Sequence, residues 1–250
     1  MRYVRLERDG VPVWGVVQGE NVRTLTGAPY EGLCYDGHTL PLSGCKLLAP
    51  CTPTKIVCVG KNYYDHAMEM GEGVPEHPIL FLKAPNTLND PEGEIHAPAF
   101  VGRLDYEGEL GIVIRKRAKD VKEADFADYI LGYTCLNDVT ARDVQKGDGQ
   151  WTRGKSMDGF APVGPAVTDE VDGRDLAIET RLNGTVVQSS RTNRFMTGIP
   201  ALMAFITAAM TLEPGDVIAT GTPAGIGAMH PGDVVEVEIE GVGVLRNRVV

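Results

Sequence analysis

Short apolar segments separated by turn residues recur along most of the chain, a pattern that predicts strands. Within residues 1–50, Val11-Pro12-Val13-Trp14-Gly15-Val16-Val17 is typical. Further strands are expected at 55–60, 78–83, 104–114, 130–136, 216–220, 233–240 and 242–249. Asn183-Gly184, between apolar-polar runs at 176–181 and 185–188, is the strongest hairpin signal. Helical signals are fewer. Residues 199–210 form one: Gly198 precedes, Pro200 suits the first turn, and nearly every position is apolar, so the helix is expected to be buried. A short helix with an acidic first turn is expected at 125–130. Residues 151–165 carry too much glycine and proline for regular structure. Two prolines near residue 50, Pro50 and Pro53, mark a boundary between a small β-rich unit over 1–50 and a main domain over 51–250.

With 250 residues and 43% apolar content, the chain is long enough for a sizeable core. A formal charge of −10 argues against nucleic-acid and anionic-membrane partners, which reward clustered Lys and Arg. No stretch approaches the roughly 18 consecutive apolar residues of a membrane span, and the start lacks the apolar core of a signal peptide. A cytoplasmic location is expected. Five cysteines form an odd set without Cys-x-x-Cys, so they read as reduced and structural.

Chemistry concentrates around Glu107 and Glu109 in the run 104–114. Residues two apart on a strand share a face, so the two carboxylates crowd one patch and call for a shared proton or a cation. A bare Glu-x-Glu is more often a solvated strand face. Asp138, at the end of the strand over 130–136, adds a third carboxylate. The all-oxygen set suits a hard divalent cation such as magnesium. His66 and Glu69, three apart on an expected helical turn, have the spacing of a base and the acid that orients it, or of a surface pair worth little. Arg142, Lys155 and Thr222 are nearby donors; Lys83, at a strand end, faces either an anion or solvent. The glycine-rich run 221–227 lacks the Gly-Lys-Ser/Thr of a nucleotide loop. Residues 70–78 read as a loop or lid. Together these groups suit a small anionic carbonyl compound.

In order along the chain, Gly60 with His66 and Glu69, Asp105-Tyr106-Glu107-Gly108-Glu109, Asn137-Asp138-Val139-Thr140-Ala141-Arg142-Asp143, Lys155-Ser156-Met157-Asp158, Gly164-Pro165 and Thr220-Gly221-Thr222-Pro223-Ala224-Gly225 resemble the fumarylacetoacetate hydrolase family over residues 51–250. The nearest branch is that of acylpyruvate hydrolases and 2-hydroxyhepta-2,4-diene-1,7-dioate isomerases, enzymes of aromatic catabolism. The resemblance implies a mainly β (α+β) mixed sandwich or roll with few helices, and a homodimer. It implies Mg2+, with Mn2+ or Ca2+ as substitutes, on Glu107, Glu109 and Asp138. A water-activating dyad falls on His66 and Glu69, and Lys155 orders substrate oxygens. Arg142, Gln145 and Thr222 match positions near the substrate, and Lys83 is taken with them as a candidate substrate contact. Asn137 stands where relatives carry tyrosine or another residue, with no expected consequence for the metal. The implied activity is divalent-metal-dependent chemistry on 2-oxo or 1,3-dicarbonyl acids through a metal-stabilised enolate. C–C hydrolysis is preferred, with isomerisation or oxaloacetate-type decarboxylation as alternatives on the same site. A reading from another class is a non-catalytic dicarboxylate or metal binder, against which His66, Glu69 and Lys155 argue.

Overall fold

The expected strand at 104–114 is in fact two. In the computed structural model, which describes residues 1–69 and 75–250, Leu104–Tyr106 and Gly108–Ile114 belong to different sheets and Glu107 sits at the switch. The cause is local. Glu107 donates its N–H to Asn137 Oδ1 at 2.9 Å and Gly108 donates to Gln188 Oε1 at 3.0 Å, so side chains replace the neighbouring strands there. A Cβ on Gly108 would lie 2.1 Å from Thr180 Oγ1, so only glycine fits between the two glutamates.

Gly108–Ile114 lies inside a 12-stranded sheet, with Ile130–Asn137 antiparallel on one side and Val217–Ala219 antiparallel on the other. Beyond Val217–Ala219 come Ile56–Gly60 and the edge strand Ile79–Lys83. Beyond Ile130–Asn137 the sheet continues through Ala161–Thr168 to Arg2–Arg8, Val11–Gln18, Asn21–Leu25 and Tyr35–Pro41. A three-stranded sheet holds Thr140–Ala141, Leu104–Tyr106 and Gly227–Met229. A five-stranded sheet contains the Asn183-Gly184 hairpin, whose two turn residues have φ of 52° and 80°. All seven residues of Gly108–Ile114 are buried, because both faces are covered. Leu110, Ile112 and Ile114 pack with the five-stranded sheet and with one helix, while Val113 packs with Leu131, Val163 and Val217.

Four α-helices occur among the described residues: α1 (Tyr64–Glu69), α2 (Arg142–Asp148), α3 (Thr152–Lys155) and α4 (Ile199–Ala209). Only one face of α4 is buried, through Ile199, Leu202, Met203 and Ile206; Phe205 is 40% exposed, so composition overstated its burial. The segment 125–130 forms a 3-10 helix over Glu123–Tyr129. The segment 151–165, expected to be irregular, contains α3 and the start of Ala161–Thr168. There, pairing of Val163 with Leu136 and Gly164 with Cys135 outweighs glycine and proline content. Of the expected loop or lid at 70–78, residues 70–74 lie outside the described residues. Among the described residues no helix is long and apolar enough to cross a membrane.

Candidate active site

Glu107, Glu109 and Asp138 converge although they come from a sheet switch, a strand and a strand end. One carboxylate oxygen of each lies within 4.8 Å of the others, and all three residues are buried. The sheet register places them: Gly108 pairs with Asn137, and Asp138 donates its N–H to the Glu107 carbonyl at 2.8 Å. Asn137 therefore does bear on the site, since its carboxamide holds the Glu107 backbone.

Three buried cations flank the cluster. Lys155 Nζ donates to Glu107 Oε2 at 2.8 Å and to Asp138 Oδ2 at 2.6 Å, and its ammonium stands 5.0 Å from the Phe81 ring centroid. Lys83, 0% exposed, donates to Asp138 Oδ1 at 2.6 Å and to the Val139 carbonyl at 3.0 Å. Of the alternatives for Lys83, it is an anion that it faces, the Asp138 carboxylate, and it stands outside the cavity lining and away from the substrate side. Arg142 donates through Nε to Asp105 Oδ2 at 2.8 Å, through Nη1 to Gln145 Oε1 at 2.7 Å, and through Nη2 to Glu107 Oε1. Asp105, also 0% exposed, accepts from Arg103 Nε at 2.7 Å on its other oxygen. Asp105 belongs to the Asp105-Tyr106-Glu107-Gly108-Glu109 motif, and its place two residues before Glu107 is the one local sign of this role.

These contacts divide the carboxylates electrostatically. Burial opposes ionisation of Glu107, but the charges of Lys155 and Arg142 outweigh it and hold the carboxyl well below its usual range. Burial also opposes the charge on Lys155, yet Asp138 and Glu107 overcome this and raise its pKa. Glu109 goes the other way. Burial, then the charges of Asp138 and Glu107, push its carboxyl well above the ordinary value. Among the described residues its carboxylate has no side-chain donor and accepts the Gly221 N–H at 2.8 Å. Among the described residues, Asp105, Glu107 and Asp138 are paired with the buried cations Lys83, Lys155 and Arg142, Lys61 is a further buried cation on the cavity lining, and Glu109 accepts from no side chain. A buried, clustered carboxylate in that position needs a proton or an added cation. The donor set fits a divalent ion: three oxygens, close together, with Glu109 the least compensated.

The acids and Lys155 line a cavity of about 230 Å³, together with His66, Arg142, Gln145 and Thr222. That volume suits a small acid rather than a nucleotide. Thr222 directs its hydroxyl to the Gly108 carbonyl at 2.9 Å. Phe81 and Trp151, which sequence reasoning missed, form an aromatic wall with centroids 5.1 Å apart. His66, on α1, is buried; its Nδ1 lies 3.1 Å from Glu69 Oε2, and Glu69 stands behind it, outside the cavity lining.

Fold and acid cluster together define a mainly β protein with a buried carboxylate site of the kind that holds a divalent cation. Residues 55–250 match the fumarylacetoacetate (FAA) hydrolase C-terminal family, and residues 1–50 match the Rv2993c-like N-terminal family. The chain belongs to the fumarylacetoacetate hydrolase family. It is 51% identical to an uncharacterized protein of Archaeoglobus fulgidus, with 90% of this chain and 93% of that one covered. It is 43% identical to the mitochondrial oxaloacetate tautomerase fahd2 of Xenopus laevis, covering 85% of this chain and 71% of that protein. The crystal structure of 2-hydroxyhepta-2,4-diene-1,7-dioate isomerase from Mycobacterium marinum matches with a TM-score of 0.93 and 42% identity, covering 100% of this chain and 98% of that one.

Proposed function

We propose that this protein is a divalent-metal-dependent enzyme acting on small 2-oxo or 1,3-dicarbonyl acids through an enolate, with C–C hydrolysis of acylpyruvates as its reaction. The observation that carries the reading is the joint presence, in one cavity, of the buried acid cluster with Lys155 and of a histidine held by a glutamate. Glu107, Glu109 and Asp138 are the residues that would hold Mg2+. A cation bound there supplies Lewis acidity toward the 2-oxo and carboxylate oxygens of the substrate.

The chain's own groups do the rest. Lys155 adds positive charge beside those oxygens and favours the enolate. Glu69 accepts from Nδ1 of His66, which leaves Nε2 free of a proton and able to take one from water. Hydroxide then adds to the distal carbonyl; the C–C bond breaks, giving a carboxylic acid and the enolate of pyruvate, which is protonated to pyruvate. Gln145 and Thr222 line the wall where the substrate carboxylate is held, and Arg142 supports Glu107 and Gln145 from the side.

A second reading is keto–enol tautomerisation on the same residues, favoured by relatives named as an oxaloacetate tautomerase and a dienedioate isomerase. It consumes no water, and His66 moves a proton within the substrate. The deciding assay offers the purified protein acylpyruvates, oxaloacetate and 2-hydroxyhepta-2,4-diene-1,7-dioate, each with magnesium and with EDTA. Release of pyruvate from acylpyruvates supports hydrolysis. Enol-to-keto conversion of oxaloacetate without that release supports the second reading, and full activity in EDTA removes the metal from both.

A further inference from the structure

The glycine-rich loop from Gly221 to Gly227 is fastened to the strand pair carrying Glu107 and Glu109 by contacts that alternate between the two segments. Gly221 donates its N–H to Glu109 Oε2 at 2.8 Å, and the Thr222 hydroxyl donates to the Gly108 carbonyl at 2.9 Å. Gln188 bridges the segments. Its Oε1 accepts the Gly108 N–H at 3.0 Å, while Nε2 donates to Thr222 Oγ1 and to the Pro223 carbonyl, each at 2.8 Å. At the far end, the Tyr106 hydroxyl donates to the Gly225 carbonyl at 2.9 Å.

Gly225 also faces outward. Its N–H donates to both carboxylate oxygens of Glu69, at 3.1 and 3.2 Å, and Glu69 Oε2 is the atom 3.1 Å from His66 Nδ1. Gly225 has φ +101°, and a Cβ there would lie 2.2 Å from the Val187 carbonyl oxygen, so the residue reaches this position only as glycine. The Glu69 side chain is 33% exposed and lies at the last residue of α1. A carboxylate this exposed, at a helix end, holds the buried His66 ring only weakly by itself. Tyr106 is 4% exposed, so its hydroxyl acts on Gly225 from within the core.

We propose that Tyr106 is a positioning residue for the His66–Glu69 pair, acting through Gly225, whose carbonyl it holds while the N–H of the same residue aims Glu69. Tyr106 neighbours Glu107 in sequence, so one short segment fixes both a carboxylate of the acid cluster and the base across the cavity. The proposal rests on the reading that His66 takes a proton from water.

The test uses the full chain loaded with magnesium and the variants Tyr106→Phe, Glu69→Ala and their double mutant. Tyr106→Phe keeps the ring packing and removes only the hydroxyl. Acylpyruvate kcat is expected to fall about tenfold, with KM and magnesium affinity within about twofold of the parent. Combined with Glu69→Ala, the Tyr106 change is expected to cost nothing further, because both act through one contact. Amide exchange at Gly225 is expected to quicken in Tyr106→Phe. An unchanged kcat, additive losses in the double mutant, or magnesium affinity falling in step with kcat would overturn the proposal. If the parent protein hydrolyses no acylpyruvate, the functional reading fails by itself. Exchange then decides the positioning claim: lost protection at Gly225 sustains it and unchanged protection ends it.

Discussion

A guanidinium that donates to three acceptors at once has its direction fixed by them, and Arg142 is in that situation between Asp105, Gln145 and Glu107. Asp105 is the anchor of the three. Replacing it by Asn keeps the shape and removes the charge that holds Nε, so Glu107 loses its lateral support. Outer partners of ligating carboxylates typically contribute 10–100-fold to metal affinity, so Asp105→Asn is expected to weaken magnesium binding by about that factor, read by calorimetry. Glu109 has a different consequence, visible with pH. Its pKa is raised in the folded state, so its proton stabilises the metal-free fold fully below the unfolded value of 4.5, and that contribution is lost as pH rises through the folded value. Magnesium must displace the same proton. Binding is therefore expected to release protons, and the gain in Tm on adding magnesium should be larger at about pH 8 than at about pH 6. Equal gains at both pH values, or no proton release in buffers of different ionisation enthalpy, would contradict the assignment.

Among the elements, α4 shows what an apolar composition does and does not determine. Leu202 is 0% exposed and packs with the buried face, whereas Phe205 is 40% exposed on the other. Leu202→Ala is expected to cost about 3 kcal/mol and Phe205→Ser less than about 1 kcal/mol, measured by urea unfolding. The same contrast explains how far the sequence could be read. Short apolar runs such as Ile56–Gly60 and the Asn183-Gly184 turn declare themselves locally, and the structure has them where the pattern put them. The acid cluster was legible too, because the Glu-x-Glu spacing and the strand end at Asp138 are local features, although the strand break at Glu107 is not. What stayed hidden depends on contacts distant in sequence. The break at Glu107 comes from the side chains of Asn137 and Gln188, the buried position of Lys83 from Asp138 and Val139, and the regular structure in 151–165 from sheet partners. Phe81 and Trp151 were missed because an apolar residue on a strand and a tryptophan in a glycine-rich segment carry no local sign that they meet.

For the molecule as a whole, the β-rich first 50 residues and the rest share one sheet. Arg2 pairs with Thr168 and Tyr3 with Val167, and Val4, Leu6 and Val22 pack around Ala166. Ala161–Thr168 has Ile130–Asn137 on its other side, and Asp138 follows directly from that strand. The seam between the two parts of the chain therefore lies two strands from the acid cluster, counted along the sheet.

That seam also covers a sheet edge. A chain cut to begin at residue 51 would present the Val167 end of Ala161–Thr168 as a bare hydrogen-bonding edge, and Val163, Val167 and Leu131 would lose the cover of Tyr3, Val16 and Leu25, with which they share a core. Such an edge is a template for another chain. The shortened protein is expected to form concentration-dependent aggregates in light scattering under conditions where the full chain does not, and supplying residues 1–50 as a separate peptide should suppress them. The first 50 residues would then serve as a built-in chaperone for the sheet behind the acid cluster.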